Sequence, residues 1–541
     1  MIKLFEKNPK TTIIALVFLM LLPNLEVPNI TIMEARNFIT AREMVDDGNW
    51  ILTTLNGEPR YQKPPLPTWL SAIFGMKLGS DSLFGLRFPA IAMIALLGLA
   101  AFKFSERLNL SIAQSLQNGL ITVTSFYIIA ITNEGPWDIY THTFMFLGLY
   151  YIFQFLESDK NHWKFIISSG LLIAASILSK GPVSLYALFL PFLIAYGMTF
   201  KFQFLKKKVI PLVVWVLLFL IVGGSWFAYV RYADPEAFLK ITTKETGNWS
   251  SYNVRPFYYY WSFFTQSGLW AFLALAGLFY PLLKDKIKHK KSYKFTFVWT
   301  IASLVLLSII PEKKARYLVP VLIPLALNTG FYVEYMIKEL KKSDSKKGLL
   351  LPRINFYLFG LIGCALPVAL FVLLKEQLSN YLVNYILIAI AALTVGILLF
   401  KFSFKKEFKK AFYAQIGLMF VIFFFGLPLS KALNSNPDYT SISELHEIQK
   451  NKNINTYSIN SVTPEMLWEY DGKIEDIYKN QLLTLPKEEV FGLLILNSNL
   501  DKIEKEIEST HQLEFVKTFD HNPTQKKRDR LTRDLYIVTK K

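Results

Sequence analysis

A single cysteine, Cys364, stands in 541 residues, and it lies inside an apolar run. The chain cannot close a disulfide within itself, and with no Cys/His cluster at metal-ligand spacing it offers no structural zinc site. Charge is scarce too: 18% of residues are Asp, Glu, Lys or Arg, against 52% hydrophobic and 15% aromatic. That composition excludes a soluble protein of this length and points to the membrane class. Internal repeats and low-complexity stretches are also missing. The net charge of +18 would suggest nucleic acid in a soluble chain. Here most of the excess sits in short loops beside apolar runs, as the positive-inside rule requires, so no nucleic-acid partner is expected.

What is present is a series of apolar runs. A bilayer core of about 30 Å needs roughly 20 apolar residues per helix. With that ruler the expected spans are 11–25, 83–102, 110–130, 141–157, 164–179, 183–200, 209–230, 268–283, 295–310, 317–337, 356–374, 382–400 and 411–429, about 13 in all. The first run, Thr11 to Leu22, follows Lys3, Lys7 and Lys10 like a signal peptide, but no small-residue cleavage site follows before Asn24. It reads as a retained span with the N-terminus in the cytoplasm. Alternate loops carry the cations: Lys103 and Arg107, Lys160 and Lys164, Lys201 with Lys206 to Lys208, Lys284 to Lys294, Lys338 to Arg353, and Lys401 to Lys410. The odd count places the C-terminus outside.

The expected organisation is a transmembrane domain over 1–430, with long outer segments at 24–82 and 231–267, and a polar tail over 431–541. Val490 to Leu496 and Asp534 to Val538 read as strands in that tail. Leu500 to His511 reads as a charged helix between them. The fold class expected is an all-α polytopic membrane protein with a small extracytoplasmic α/β domain.

The outer loops hold the chemistry. Glu34 and Arg36 follow the first span on a segment that reads as an amphipathic surface helix. Phe38, Ile39 and Met44 form its apolar face, Glu43, Asp46 and Asp47 its polar side, and Gly48 its cap. An uncompensated carboxylate at the membrane boundary is costly, which singles out Glu34 over the solvated Asp46 and Asp47. Lys63, in Y-Q-K-P-P-L-P, is displayed on a stiff proline frame suited to a phosphate contact. Glu134 and Asp138, in N-E-G-P-W-D, sit at the mouth of a membrane helix without a local cation, so partners must come from elsewhere. His142, one turn on, titrates near neutral pH when exposed. Lys180, in S-K-G-P, either snorkels or binds. Lys313, Lys314 and Arg316 break the charge rule on the outer side and suggest an anionic partner such as a lipid phosphate. The aromatic run Arg255 to Trp261 suits an interfacial belt or stacking against sugar or prenyl chain. The glycosylation sequons at Asn29 and Asn248 are too common a pattern to carry weight.

Several stretches taken together resemble a family. E-A-R-N-F-I-T-A-R-E-M followed by G-N-W, then L-N-G-E-P-R-Y-Q-K-P-P-L, then Asp138 at a span start, S-K-G-P-V, P-F-Y-Y-Y-W and A-R-Y-L-V-P-V-L-I-P-L-A-L occur in that order. The chain is similar to the polyprenyl-phosphate-dependent membrane glycosyltransferases of the GT-C fold, in particular the bacterial lipid A aminoarabinose transferases and protein O-mannosyltransferase-like enzymes. The resemblance covers roughly 30–330. It implies an inverting transfer of a sugar from a polyprenyl phosphate to an envelope lipid, glycan or protein, on the outer face of the bacterial inner membrane. It implies Glu34 and Asp138 as catalytic carboxylates, and Arg36, Lys63 and Tyr317 as donor contacts. Glu134, Lys180, Lys313 and Arg316 complete the expected substrate-binding set. One departure stands out: many relatives carry Asp-Glu where this chain has Met33-Glu34.

Such a transfer needs a base for the acceptor proton and cations for the departing phosphate. No cofactor is required, and the paired carboxylates admit a divalent cation without demanding one. A flippase for lipid-linked sugar is the competing reading, and a catalytically silent scaffold a third.

Overall fold

Long apolar runs leave the backbone no partner but itself, and in the computed structural model they form helices accordingly. Residues 2–203, 205–342, 346–434, 436–479, 482–496, 507 and 509–541 are described. Among them nine helices are long and apolar enough to cross a membrane: Leu83–Arg107, Ile112–Glu134, Trp163–Lys180, Lys206–Ala233, Lys290–Ile309, Ala315–Lys342, Gly348–Leu373, Leu378–Phe404 and Phe408–Leu433. Pro9–Leu21 and Leu185–Thr199 are shorter apolar helices, and Pro136–Glu157 fills the expected span at 141–157. The chain is a multi-pass, all-α membrane protein with a small C-terminal sheet.

One expected span is broken. Residues 268–283 hold the end of the 3-10 helix Phe263–Trp270, kinked at Gly268, and the short helices Ala271–Gly277 and Tyr280–Leu283. Seven residues rise about 10 Å, far short of a bilayer core. The break is sustained because its freed carbonyl finds donors: Asn328 Nδ2 and Tyr293 Oη reach the Gly277 oxygen at 2.9 and 2.7 Å. Elsewhere a polar group closes a helix end. Lys208, from an expected cytoplasmic loop, buries its ammonium on the carbonyls of Phe155, Leu156 and Ser158, the last turn of Pro136–Glu157.

The chain divides into two units, Met1–Pro28 with Tyr61–Leu429, and Asn29–Arg60 with Ser430–Lys541. The polar tail, from Ser430 on, lies in the second unit. The first outer segment, however, splits, and its helix Ile32–Asp46 joins the tail instead of the membrane unit. In the second unit the described strands are β1 (Thr54–Leu55), β2 (Glu58–Pro59), β3 (Thr456–Ser458), β4 (Tyr478–Lys479), β5 (Leu482–Leu483), β6 (Val490–Ile495), β7 (His511–Asp520) and β8 (Thr532–Lys540). Four of them make a sheet in the order β3-β6-β8-β7, with β3 parallel to β6 and the other pairs antiparallel. The period of two sorts its side chains. Phe491, Leu493 and Ile495 pack with Ile459 and Val538, whereas Leu494 and Leu535 pack with Met466, Leu467 and Ile39. The charged helix expected over 500–511 lies mostly outside the described residues.

Ile32–Asp46 is not the amphipathic surface helix expected. Ten of its 15 residues are buried. Its Ile39 enters the second unit's core, and Phe38 meets Trp468 edge-on at 5.8 Å. Arg42 pairs with Asp471, donates to the Leu467 and Trp468 carbonyls at 3.3 and 3.4 Å, and lies over the Trp468 ring. Glu43 accepts from Thr54 Oγ1 and from the Asn56 amide at 2.6 Å, which fixes the β1–β2 hairpin.

Candidate active site

In the membrane unit, Gly135 ends the helix before and Pro136 starts the helix Pro136–Glu157. Asp138 therefore falls in a first turn, where the helix dipole favours negative charge. It is 2% exposed. Its partner is Lys180, the last residue of Trp163–Lys180, whose ammonium bonds Asp138 Oδ1. Gly181 stops that helix at φ +80, a conformation open to glycine, and so aims the lysine across at Asp138. His142 lies four residues on, with Nε2 3.7 Å from the same Oδ1.

Further cations gather about this pair. Lys180 lies 5.0 Å from the centre of the Tyr317 ring. It also feels the charges of Lys63 and Arg316. Arg316 donates to the Glu134 carbonyl at 3.5 Å, and the Glu134 carboxylate takes the Tyr127 hydroxyl. Lys63 is carried on a segment fixed by Tyr61, whose hydroxyl donates to Asp234 at 2.9 Å. Burial and that carboxylate push the Tyr61 phenol well above its ordinary range. Lys63 pairs with Glu245 at 3.6 Å, both half-exposed.

Lys313 does not join this group. It is 3% exposed, and its ammonium is spent on the Ile310 and Arg255 carbonyls at 2.5 and 3.1 Å. The neighbouring Lys314 reaches inward instead, to Glu312 Oε1 at 2.5 Å and Tyr317 Oη at 3.3 Å. Burial works against its charge, but Glu312 and Tyr317 prevail and raise the ammonium above its usual value. The loop is held by a strap from the aromatic segment. Val254 bridges Glu312, the Lys313 amide donates to the Asn253 carbonyl at 3.1 Å, and Tyr260 Oη bonds both backbone groups of Lys314 at 3.0 Å. Phe257, Tyr258 and Trp261 stay exposed while Tyr260 is buried.

The second unit holds the other two expected residues. Glu34 is fully buried in a capping box, accepting the Thr31 amide at 3.1 Å while Thr31 Oγ1 accepts the Glu34 amide at 3.2 Å. Arg36 is exposed on the next turn. Its charge, after burial, helps bring the Arg60 guanidinium down to about 9, against the pull of Glu43. Glu34 thus has a structural task that T-x-x-E spacing announces. Lys314, Glu312 and Glu245 escaped the expected set. Lys314 shared its signal with Lys313, and Glu245 had none beyond its polar helix. Among the described residues no group of three or more His, Cys, Asp or Glu is gathered as a metal ion would need.

An all-α membrane core carrying a buried carboxylate among converging cations has the fold of the GT-C membrane glycosyltransferases. ArnT from Cupriavidus metallidurans, in a crystal structure with undecaprenyl phosphate bound, matches with a TM-score of 0.65 at 15% identity, covering 97% of each chain. Its apo form matches at 0.63 and 16% identity, over 97% of this chain and 96% of that one. The sequence model of the dolichyl-phosphate-mannose-protein mannosyltransferase family matches residues 62–226. Among curated relatives, the undecaprenyl phosphate-alpha-4-amino-4-deoxy-L-arabinose arabinosyl transferase of Shewanella sediminis is 24% identical over 54% of each chain. Transferase 1 of that name from Proteus mirabilis is 24% identical over 61% of this chain and 59% of its own. The chain thus spans a little over half the length of these relatives.

Proposed function

We propose that the chain is an inverting membrane glycosyltransferase that moves a sugar from a polyprenyl-phosphate donor to an envelope lipid, glycan or protein. The observation that carries this reading is the buried Asp138 bonded to Lys180, with Lys63 and Arg316 close enough for their charges to be felt there. Asp138 takes the proton of the acceptor hydroxyl as that oxygen attacks the anomeric carbon from the face opposite the phosphate. The carbon–phosphate-oxygen bond breaks, and its electron pair leaves with the polyprenyl phosphate. Lys63, Lys180 and Arg316 stabilise that growing charge, and because they are already in place little reorganisation is needed at the moment of reaction. Lys314 and Tyr317 flank the phosphate seat. The positive loops on alternate sides support a cytoplasmic N-terminus, an outward-facing tail and residence in a bacterial inner membrane.

The test uses the full chain in nanodiscs with radiolabelled polyprenyl-phosphate sugars and envelope extract, comparing wild type with Asp138→Asn and Glu34→Gln. Label passing from donor to acceptor, and lost in Asp138→Asn, supports the reading. Donor lipid flipped across the bilayer with no sugar transferred moves the assignment to a flippase.

A further inference from the structure

His142 is buried beside the catalytic carboxylate, yet the reaction above does not use it. It is 1% exposed, and its Nε2 lies 3.7 Å from Asp138 Oδ1. Its other nitrogen, Nδ1, is buried with no hydrogen-bond partner. A buried nitrogen left unmet is a cost that an apolar side chain of similar size would avoid, so packing alone does not account for an imidazole at this place. The i, i+4 spacing puts it over Asp138 on one face of the helix, facing the same Oδ1 that Lys180 bonds.

We propose that His142 is a positioning residue for the transfer: as a neutral imidazole it donates from Nε2 toward Asp138 and holds the carboxylate in line for the acceptor proton. This rests on Asp138 acting as the base. The charged groups that reach His142 are Asp138 on its own helix and Lys180 at the end of the neighbouring one. Lys180 is drawn on by the donor phosphate during the reaction, and at that stage His142 is what keeps Asp138 from rotating. A proton on Nδ1 converts the imidazole into a cation against the carboxylate, which weakens the base, so transfer falls on acidification.

The experiment measures sugar transfer by the full chain in nanodiscs across pH 5 to 8, for wild type, His142→Gln and His142→Leu, with folding checked by size exclusion and thermal unfolding. Glutamine keeps a donor but cannot titrate; leucine keeps volume only. The expected result is kcat lowered by about tenfold or more in His142→Leu, with donor KM within about twofold of wild type and most of the rate restored in His142→Gln. The acid limb of the wild-type profile flattens in His142→Gln. Wild-type kcat in folded His142→Leu overturns the proposal, as does a loss seen in KM alone, an equal loss in both variants, or an unchanged acid limb. If His142→Leu does not fold, His142→Gln decides through its acid limb. An active wild type with an equally active Asp138→Asn sinks the base assignment and His142's role with it, whereas an inactive Asp138→Asn with unaffected His142 variants sinks the His142 role alone.

Discussion

Replacing Lys180 with methionine isolates what the pair with Asp138 contributes. The two side chains are 9% and 3% exposed, so the substitution strands a carboxylate that water barely reaches. Removing one partner of a buried pair costs about 3–5 kcal/mol, whereas replacing both by apolar groups of similar volume is often neutral or stabilising. Lys180→Met is therefore expected to lower the thermal midpoint markedly at neutral pH. Lys180→Met with Asp138→Leu should return close to wild type, although both variants lose transfer. Acid should narrow the deficit of the single variant, because His142, 3.7 Å from the stranded oxygen, then supplies a cation. The assay is thermal unfolding in nanodiscs, followed by tryptophan fluorescence at pH 5.5 and 7.5. A single variant as stable as wild type, or a double variant as unstable as the single, refutes the reasoning.

Four more outcomes follow from the same structure. Glu34→Gln keeps an oxygen for the Thr31 amide, so unfolding free energy should hold within about 0.5 kcal/mol while Glu34→Ala loses about 1 kcal/mol; lost transfer in the stable Gln variant would mark Glu34 as catalytic. Lys314→Met should raise donor KM, and Lys313→Met should lower stability with little change in KM, as steady-state kinetics beside melting curves will tell. In the second unit, burial first of all holds the His521 imidazole below its ordinary value, against the pull of Glu469, Asp520 and Glu465. A lowered folded value means stability that is present above about pH 6.5, the unfolded value, and that is lost as pH falls toward the folded one; chemical-denaturation midpoints at pH 5 and 7 should differ in that sense, and less so in His521→Gln. A Cβ on Gly330 would sit 1.6 Å from Asn118 Oδ1, so Gly330→Ala should cost about 1–3 kcal/mol by overpacking, read as a lower melting midpoint.

Much of this was legible in the chain because membrane physics writes in long runs. Thirty ångströms of hydrocarbon demand apolar helices, and a charge placed at their mouths, such as Asp138 or Lys180, is conspicuous. What stayed hidden depends on partners distant in sequence. Gly277 and Pro281 mark the break in 268–283 locally, but the donors that sustain it, Tyr293 and Asn328, are distant. Lys313 and Lys314 are adjacent and alike; only the Arg255 and Ile310 carbonyls on one side and Glu312 with Tyr317 on the other separate a loop brace from a lysine held on Tyr317. Ile32–Asp46 reads from its sequence as a membrane-surface helix because Phe38, Ile39 and Met44 make an apolar stripe whichever core receives it. The capping role of Glu34, by contrast, was written in Thr31-Ile32-Met33-Glu34 and is a matter of reading the spacing.

The clasp of Arg42 on Asp471 joins residues 429 positions apart. On a ribosome adding about 5–20 residues per second, the partner of Arg42 emerges roughly 20–90 s after it. Throughout that interval Phe38 and Ile39 have no core to enter. The first outer segment is therefore among the first parts of the chain to be synthesised and among the last to be finished. Premature termination anywhere before residue 471 would leave an apolar helix on display outside the spans, a ready mark for quality control.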